Sequence, residues 1–384
     1  MQRMQQLDMI RGLAVLALLL MNIFAFAFPP DYAHSLQWTE IAPSSTDTLL
    51  YNIQTLFIKG RFVSLFSILF GVGLYLIAEK YGEAYLKRRL NWLLFFGLVH
   101  GWLIWFGDIL LWYALTGLFV LYQGYFHLAI AALWRKVILF FAISMIFPTI
   151  VSLTYLFVDG ATAVELANAE TVTKQIELWT GPFWPQVQEN LALSLIMFGA
   201  FITFMLWYST ALMLLGIALY KTDWFAIGFS TKHTAGLFAT ALMLSGSVVW
   251  LDNHSGYILG LAGILPWAYV AEVMMALSFA SLLIKFRHSP WLQQWLAPCG
   301  RLALTLYLSQ TLVMVLLFRV VKTEWFATLD RLQLLSIAII MIGAQLLFSQ
   351  LYTRYFQQGP MEWLWRRLSK RPEPDQAKGL HTNQ

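Results

Sequence analysis

The sequence predicts an all-α, polytopic membrane bundle, and three observations carry that prediction. First, hydrophobic residues make up 59 % of the 384 and charged residues only 12 %, with a mean hydropathy of +0.65. Soluble domains carry about 25 % charged residues. Half that charge leaves too little polar surface to cover a water-exposed globule, which excludes a soluble enzyme, a disordered chain, a collagen and a coiled coil. Second, the apolar residues fall in continuous runs close to the roughly 20 residues that cross about 30 Å of hydrocarbon. Period-2 alternation is absent, so a β-barrel is not supported, whereas a helix satisfies its own backbone in lipid. Third, the basic residues divide by loop.

Ten spans are expected, at 8–28, 61–79, 89–107, 109–123, 136–158, 193–220, 234–251, 262–284, 300–320 and 331–353. The first opens like a signal peptide and contains Ala25-Phe26-Ala27. Its run to Phe28 is span-length, and Pro29-Pro30 follow at once, so it reads as a retained span. The fourth is the shortest and could continue past Gly124 through His127–Trp134. With the N-terminus inside, nineteen of the twenty-five lysines and arginines are cytoplasmic. The six outside are Lys59, Arg61, Lys174, Arg319, Lys322 and Arg331. That split fits the positive-inside rule with both termini cytoplasmic.

Residues 1–368 then form one transmembrane domain. Residues 369–384, polar and with two prolines, form a disordered cytoplasmic tail. The outer loops 29–60 and 159–192 carry Asp31, Asp47, Asp159, Glu165, Glu170, Glu177, Glu189 and many aromatics. Trp179-Thr180-Gly181-Pro182-Phe183-Trp184-Pro185 cannot be a regular helix. It reads as an interfacial aromatic belt, or else as a lid over an outward-facing site. Cys299 is the only cysteine, so there is no internal disulfide and no cysteine metal site; no metal is expected. The net charge of +5 is spread by topology rather than gathered in one patch. The expected partner is therefore the lipid bilayer and not nucleic acid. No internal repeat is visible, which disfavours a repeat-built transporter.

Polar groups inside a span are costly and mark function by default. Asp8 and Arg11, three apart, share a helical face. Asn22 follows Arg11 by eleven residues, about three turns and about 16 Å of rise, so both lie on one face. The third span repeats the spacing from Arg89 to His100, which places Asn22 and His100 at one depth, facing a common cavity with Arg11 and Arg89 beneath it. Gly97-Leu98-Val99-His100-Gly101 is a GxxxG element that admits another helix. His100 reads as an interhelical hydrogen bond or as a functional group. Asp108 closes the third span at the outer surface, as a helix cap or as a partner in chemistry. Glu272, Gln310 and Gln345 fall in the same layer. The glutamines suit helix–helix hydrogen bonds, whereas an isolated mid-span carboxylate at Glu272 needs a partner, water or a proton. Lys59 and Arg61 read as snorkelling at the outer interface, or as part of a substrate site together with Glu272 and Gln310.

These residues carry a family resemblance. Five motifs occur in order: Leu7-Asp8-x-x-Arg11-Gly12 with Asn22; Gly60-Arg61-Phe62-x-x-Leu65-Phe66-x-x-Leu69-Phe70-Gly71-x-Gly73; Gly97-Leu98-x-His100-Gly101 with Trp105-x-Gly107-Asp108-Ile109-Leu110; Gly300-Arg301-x-Ala303-Leu304-Thr305-x-Tyr307-Leu308-x-Gln310; and Gly359-Pro360-x-Glu362-Trp363-Leu364-Trp365-Arg366. Together they resemble the YeiB family, a bacterial inner-membrane family of unknown function, over nearly the whole chain. That implies a location in the bacterial inner membrane. More distantly the pattern is similar to the transmembrane acyltransferase superfamily, which includes the acyltransferase-3 proteins and the heparan-α-glucosaminide N-acetyltransferases. That implies movement of an acyl group from cytosolic acyl-CoA to a saccharide or small-molecule acceptor across the membrane. The shared element is Asp8-x-x-Arg11-Gly12. The acyltransferase-3 pattern has a histidine where this chain has Asn22, so His100, the only histidine within an assigned span, takes the catalytic role by elimination.

Two functions follow. An acyltransferase needs a general base or nucleophile, here His100 with Asp108 or Glu272 orienting it and Asn22 at the same depth. It also needs cations for the phosphates of acyl-CoA, for which Arg11, Arg88, Arg89 and Arg301 lie on the cytoplasmic side. A transporter or exporter of a small metabolite would use the same polar layer as its binding site. A non-catalytic scaffold has no positive feature in its favour.

Overall fold

The computed structural model describes residues 5–30, 32–33, 35–36, 43–157, 168–254 and 265–370. Among these the regular structure is helical: α1 (Gln5–Ala27), α2 (Ser45–Phe57), α3 (Arg61–Tyr81), α4 (Glu83–Leu103), α5 (Leu110–Tyr122), α6 (Ile130–Ser144), α7 (Ile146–Phe157), α8 (Ala169–Thr180), α9 (Phe183–Ala200), α10 (Leu206–Lys221), α11 (Trp224–Ile227), α12 (Thr231–His254), α13 (Pro266–Lys285), α14 (Pro290–Arg301), α15 (Ala303–Leu316), α16 (Arg331–Tyr355) and α17 (Pro360–Ser369). π turns at Phe201–Met205 and Leu317–Val321 extend α9 into α10 and lengthen α15. Asp31, Asp159, Glu165 and the tail from 371 lie outside the described residues.

Eight helical stretches among the described residues are long and apolar enough to cross a membrane, and the chain is a multi-pass membrane protein. The third and fourth expected spans are built differently from the rest. α4 carries Glu83, Lys87, Arg88 and Arg89 in its first two turns. α5 has 13 residues, about 20 Å, which falls short of a hydrocarbon core. The pair forms a hairpin whose turn, 104–109, holds buried Trp105 and Asp108. The ninth expected span breaks at Leu302 between α14 and α15.

α1 lies at the centre, buried along most of its length. Glycines set its approach to α14. A Cβ on Gly12 would sit 2.0 Å from the Leu296 carbonyl oxygen, and one on Gly300 would sit 1.8 Å from that of Asp8. α3 and α10 meet the same way, with Gly71 against Met213 and Gly216 against Ile68. Without a hydrophobic drive between helices in lipid, such close backbone contact supplies much of the association. Gly97 does this for the hairpin, where a Cβ would lie 2.3 Å from the Leu111 nitrogen.

Candidate functional site

The hairpin places the chemistry. His100 ends α4, and its Nδ1 lies 2.7 Å from Asp108 Oδ1. Asp108 Oδ2 accepts the Leu111 N–H at 2.7 Å, so the carboxylate also caps α5. Both side chains are 2 % exposed. Asp108 is therefore not at an outer surface, as the sequence suggests, but folded back inside the bundle by the turn after Leu103. With both carboxylate oxygens accepting, Nδ1–H donates to Asp108, which in the neutral imidazole leaves the lone pair on Nε2. That Nε2 is buried and has no partner among the described residues.

Tyr307 of α15 is the neighbouring wall. Its ring centroid is 5.5 Å from that of His100, and its hydroxyl accepts the Ile109 N–H at 3.1 Å. Tyr307 also lines a cavity of about 230 Å³, which His100 does not line. Tyr307, Tyr113 and Ile109 line one part of it. Phe66, Phe70, Leu90 and Leu93 line its flanks, and Arg11, Arg89, Arg301 and Arg366 its basic part. Arg11 pairs with Asp8 at 3.1 Å. Arg89 stacks over Trp365 of α17, Cζ 3.8 Å from the ring centroid, and the indole N–H donates to the Arg89 carbonyl at 2.7 Å. Glu362 fastens α17 beside the opening by accepting the Leu304 and Thr305 N–H groups at 2.7 and 3.1 Å and the Thr305 hydroxyl. A second, polar recess of about 570 Å³ adjoins through the shared Arg301 and is lined by Asp8, Gln293, Gln294, Gln350 and Arg354.

The structure thus brings together His100 with Asp108, and Arg11 with Arg89 and Arg301. It does not bring in the remaining expected residues. Asn22 is buried in α1, and neither it nor His100 lines either recess, so the two do not face a common cavity above Arg11 and Arg89. Arg88 points away and donates to the Ser369 carbonyl at 3.0 Å. Gln310 donates to Gln345 at 2.8 Å and to the Val15 carbonyl at 3.1 Å, and Gln345 donates to Leu306 and Ser309, which is the helix–helix bonding the sequence suggests.

Arg61 does not snorkel. It is 2 % exposed and donates to Ser245 and to the Lys59 carbonyl. Glu272 lies against Gly60 and accepts from Tyr208 at 3.3 Å, which meets Ser64 at 2.9 Å. Glu272 therefore does not orient His100; it belongs to a separate buried network. Nothing in the sequence alone marks Tyr307, Tyr113, Trp365, Arg366 and Glu362 as site residues. The last three stand in the Gly359–Arg366 motif, where a short basic and aromatic helix follows the final span.

The sequence as a whole has relatives. It is 30 % identical to the uncharacterized protein YeiB of Escherichia coli K12 over 406 aligned positions, covering 97 % of each chain. The chain belongs to the YeiB family. The family model described as a protein of unknown function, DUF418, matches residues 219–372. The chain is 29 % identical to the uncharacterized protein YxaH of Bacillus subtilis 168, over 95 % of its own length and 94 % of that protein. It is also 25 % identical to an uncharacterized 39.9 kDa protein in the amylase 3′ region of Bacillus acidopullulyticus, over 96 % and 94 %. No solved structure matches.

Proposed function

We propose that this YeiB-family protein is an acyltransferase of the bacterial inner membrane, with both termini cytoplasmic, that passes an acyl group from cytosolic acyl-CoA to a saccharide or small-molecule acceptor. One observation carries the reading: a single cavity joins four arginines to a wall, Tyr307, behind which stands a buried His–Asp pair with a free Nε2. The volume suits the slender pantetheine arm and not a whole coenzyme. The nucleotide would stay at the basic opening, where guanidinium forks bind phosphate by charge-assisted bonds, with the adjoining polar recess to receive the rest.

In the reaction, Nε2 of His100 takes the proton from the acceptor hydroxyl or amine as that atom attacks the thioester carbonyl. The C–S bond breaks, coenzyme A leaves as thiolate, and the imidazolium returns the proton to it. Asp108 holds the tautomer and balances the imidazolium charge, the part a carboxylate plays in hydrolytic triads. His100 does not itself line the cavity, whereas Tyr307 does and packs on its ring, so a movement of the Tyr307 side chain would let the acyl group reach Nε2.

Thermal unfolding of purified protein with acetyl-CoA and longer acyl-CoAs tests this. A ligand at 100 times its Kd adds about 2.7 kcal/mol. Stabilisation that weakens at least tenfold in Arg11→Gln and Arg89→Gln is expected. No shift with any chain length would reject the acyl-CoA site. It would favour transport of a small metabolite, for which the buried Glu272–Tyr208 pair, with Arg61 within electrostatic reach of Glu272, supplies a second polar centre.

A further inference from the structure

Arg319 is a cation that the proposed site leaves over. It lies in the π turn Leu317–Val321, sixteen residues past Ala303 and so about 24 Å along the helix from the basic end. It is 4 % exposed, and its guanidinium stacks on the fully buried Trp179, Cζ 4.1 Å from the ring centroid. Among the described residues its Nε and Nη1 have no hydrogen-bond partner. The other deeply buried arginines bond both terminal nitrogens, Arg61 to Ser245 and Lys59 and Arg331 to Gln54 and Ser35, although Nε of Arg61 is unpartnered as well. An uncompensated guanidinium is therefore not a habit of this fold, and burying one without an anion is expensive.

A second orphan stands nearby. The indole N–H of Trp105 is buried without a partner among the described residues. A ladder of rings joins the two: Trp105 to Phe106 at 6.0 Å, Phe106 to Trp179 at 6.5 Å, then Arg319 on Trp179. Trp105 sits in the turn that presents Asp108 to His100, and its backbone N–H donates to the His100 carbonyl at 2.9 Å.

We propose that Arg319 binds an oxyanion, a carboxylate or phosphate, carried by the acceptor. The word acceptor rests on the acyl-transfer reading; the anion site does not. The orphaned atoms are all donors, so they call for an acceptor of hydrogen bonds. The one next to a full charge calls for an anion, and a planar guanidinium fork matches a carboxylate or phosphate edge.

The oxyanion can belong to a soluble acid or to a lipid headgroup, and thermal unfolding in an uncharged detergent at constant ionic strength separates them. Sodium acetate and inorganic phosphate probe the soluble source; phosphatidylglycerol against phosphatidylcholine in mixed micelles probes the lipid. The wild-type midpoint should rise saturably with at least one anion, and Arg319→Gln should raise the apparent Kd at least tenfold. Arg319→Lys keeps the charge, loses the planar fork and should weaken binding severalfold; it decides the matter if Arg319→Gln does not fold. A response to phosphatidylglycerol alone assigns the headgroup. No saturable rise with any anion, or an unchanged response in either folded variant, overturns the proposal. A wild-type protein that ignores every acyl-CoA yet shows an Arg319-dependent anion response would reject acyl transfer and leave the anion site standing.

Discussion

His100 sits at the last turn of a helix, buried and bonded on one nitrogen only. If it serves packing alone, His100→Asn keeps a donor and an acceptor and should be tolerated. If it is the base, that substitution removes the only proton shuttle suited to neutral pH, and turnover should fall by about 10²- to 10⁴-fold while acyl-CoA stabilisation persists. A steady-state assay beside the thermal shift separates the two; full activity in His100→Asn rejects the catalytic assignment. Asp108→Asn is more complex, because Asp108 also caps α5. Asn caps a helix about as well as Asp, and only full loss of a cap costs about 1 kcal/mol, so a small drop in stability with a large drop in turnover is the expected pattern. A large drop in stability alone would make Asp108 structural.

At the scale of helices, close contact is written in glycine. Gly12→Val forces a side chain into the space 2.0 Å from the Leu296 carbonyl, and Gly216→Val does the same 2.0 Å from that of Ile68. Both should abolish monodisperse protein in size-exclusion chromatography. Gly236→Ala and Gly343→Ala meet nothing within 4 Å and should be neutral or raise the midpoint, since alanine favours a helix by up to about 1 kcal/mol. Equal tolerance of all four would mean that α1–α14 and α3–α10 pack less tightly than described.

The sequence shows these helices through their apolar runs, and the eleven-residue step from Arg89 to His100 spans the cavity's basic part and its chemical neighbour. It does not show the break after Leu103, because Ile104-Trp105-Phe106 is as apolar as the helix before it. Nor does it show that Arg61 and Glu272, 211 residues apart, come within electrostatic reach of each other while Asn22 stays out of the cavity. Rotation of one helix against another decides such meetings, and spacing within a helix is silent on it. Trp179 divides the aromatic segment similarly: it is fully buried on Arg319, whereas Phe183 and Trp184 are exposed as an interfacial belt would be.

Across the whole molecule, the hairpin reconciles the span count with the charge split. A pair of helices that enters and returns leaves the parity unchanged, so eight crossings or ten put both termini on one side. The topology can be tested in the native background, because the sole cysteine, Cys299, is 0 % exposed. An impermeant maleimide should leave wild-type protein unlabelled. Trp184→Cys and Tyr81→Cys replace side chains that are 69 % and 55 % exposed, and an odd number of crossings separates them on either count. Trp184→Cys should therefore label in intact cells, as the excess of arginine and lysine on the other side requires, and Tyr81→Cys only after the membrane is opened. Labelling of both from one side would mean that α6 and α7 together fail to cross. That would also put the four arginines of the cavity out of reach of cytosolic acyl-CoA or the acceptor on its wrong side, and the transfer reaction would lose its direction along with the topology.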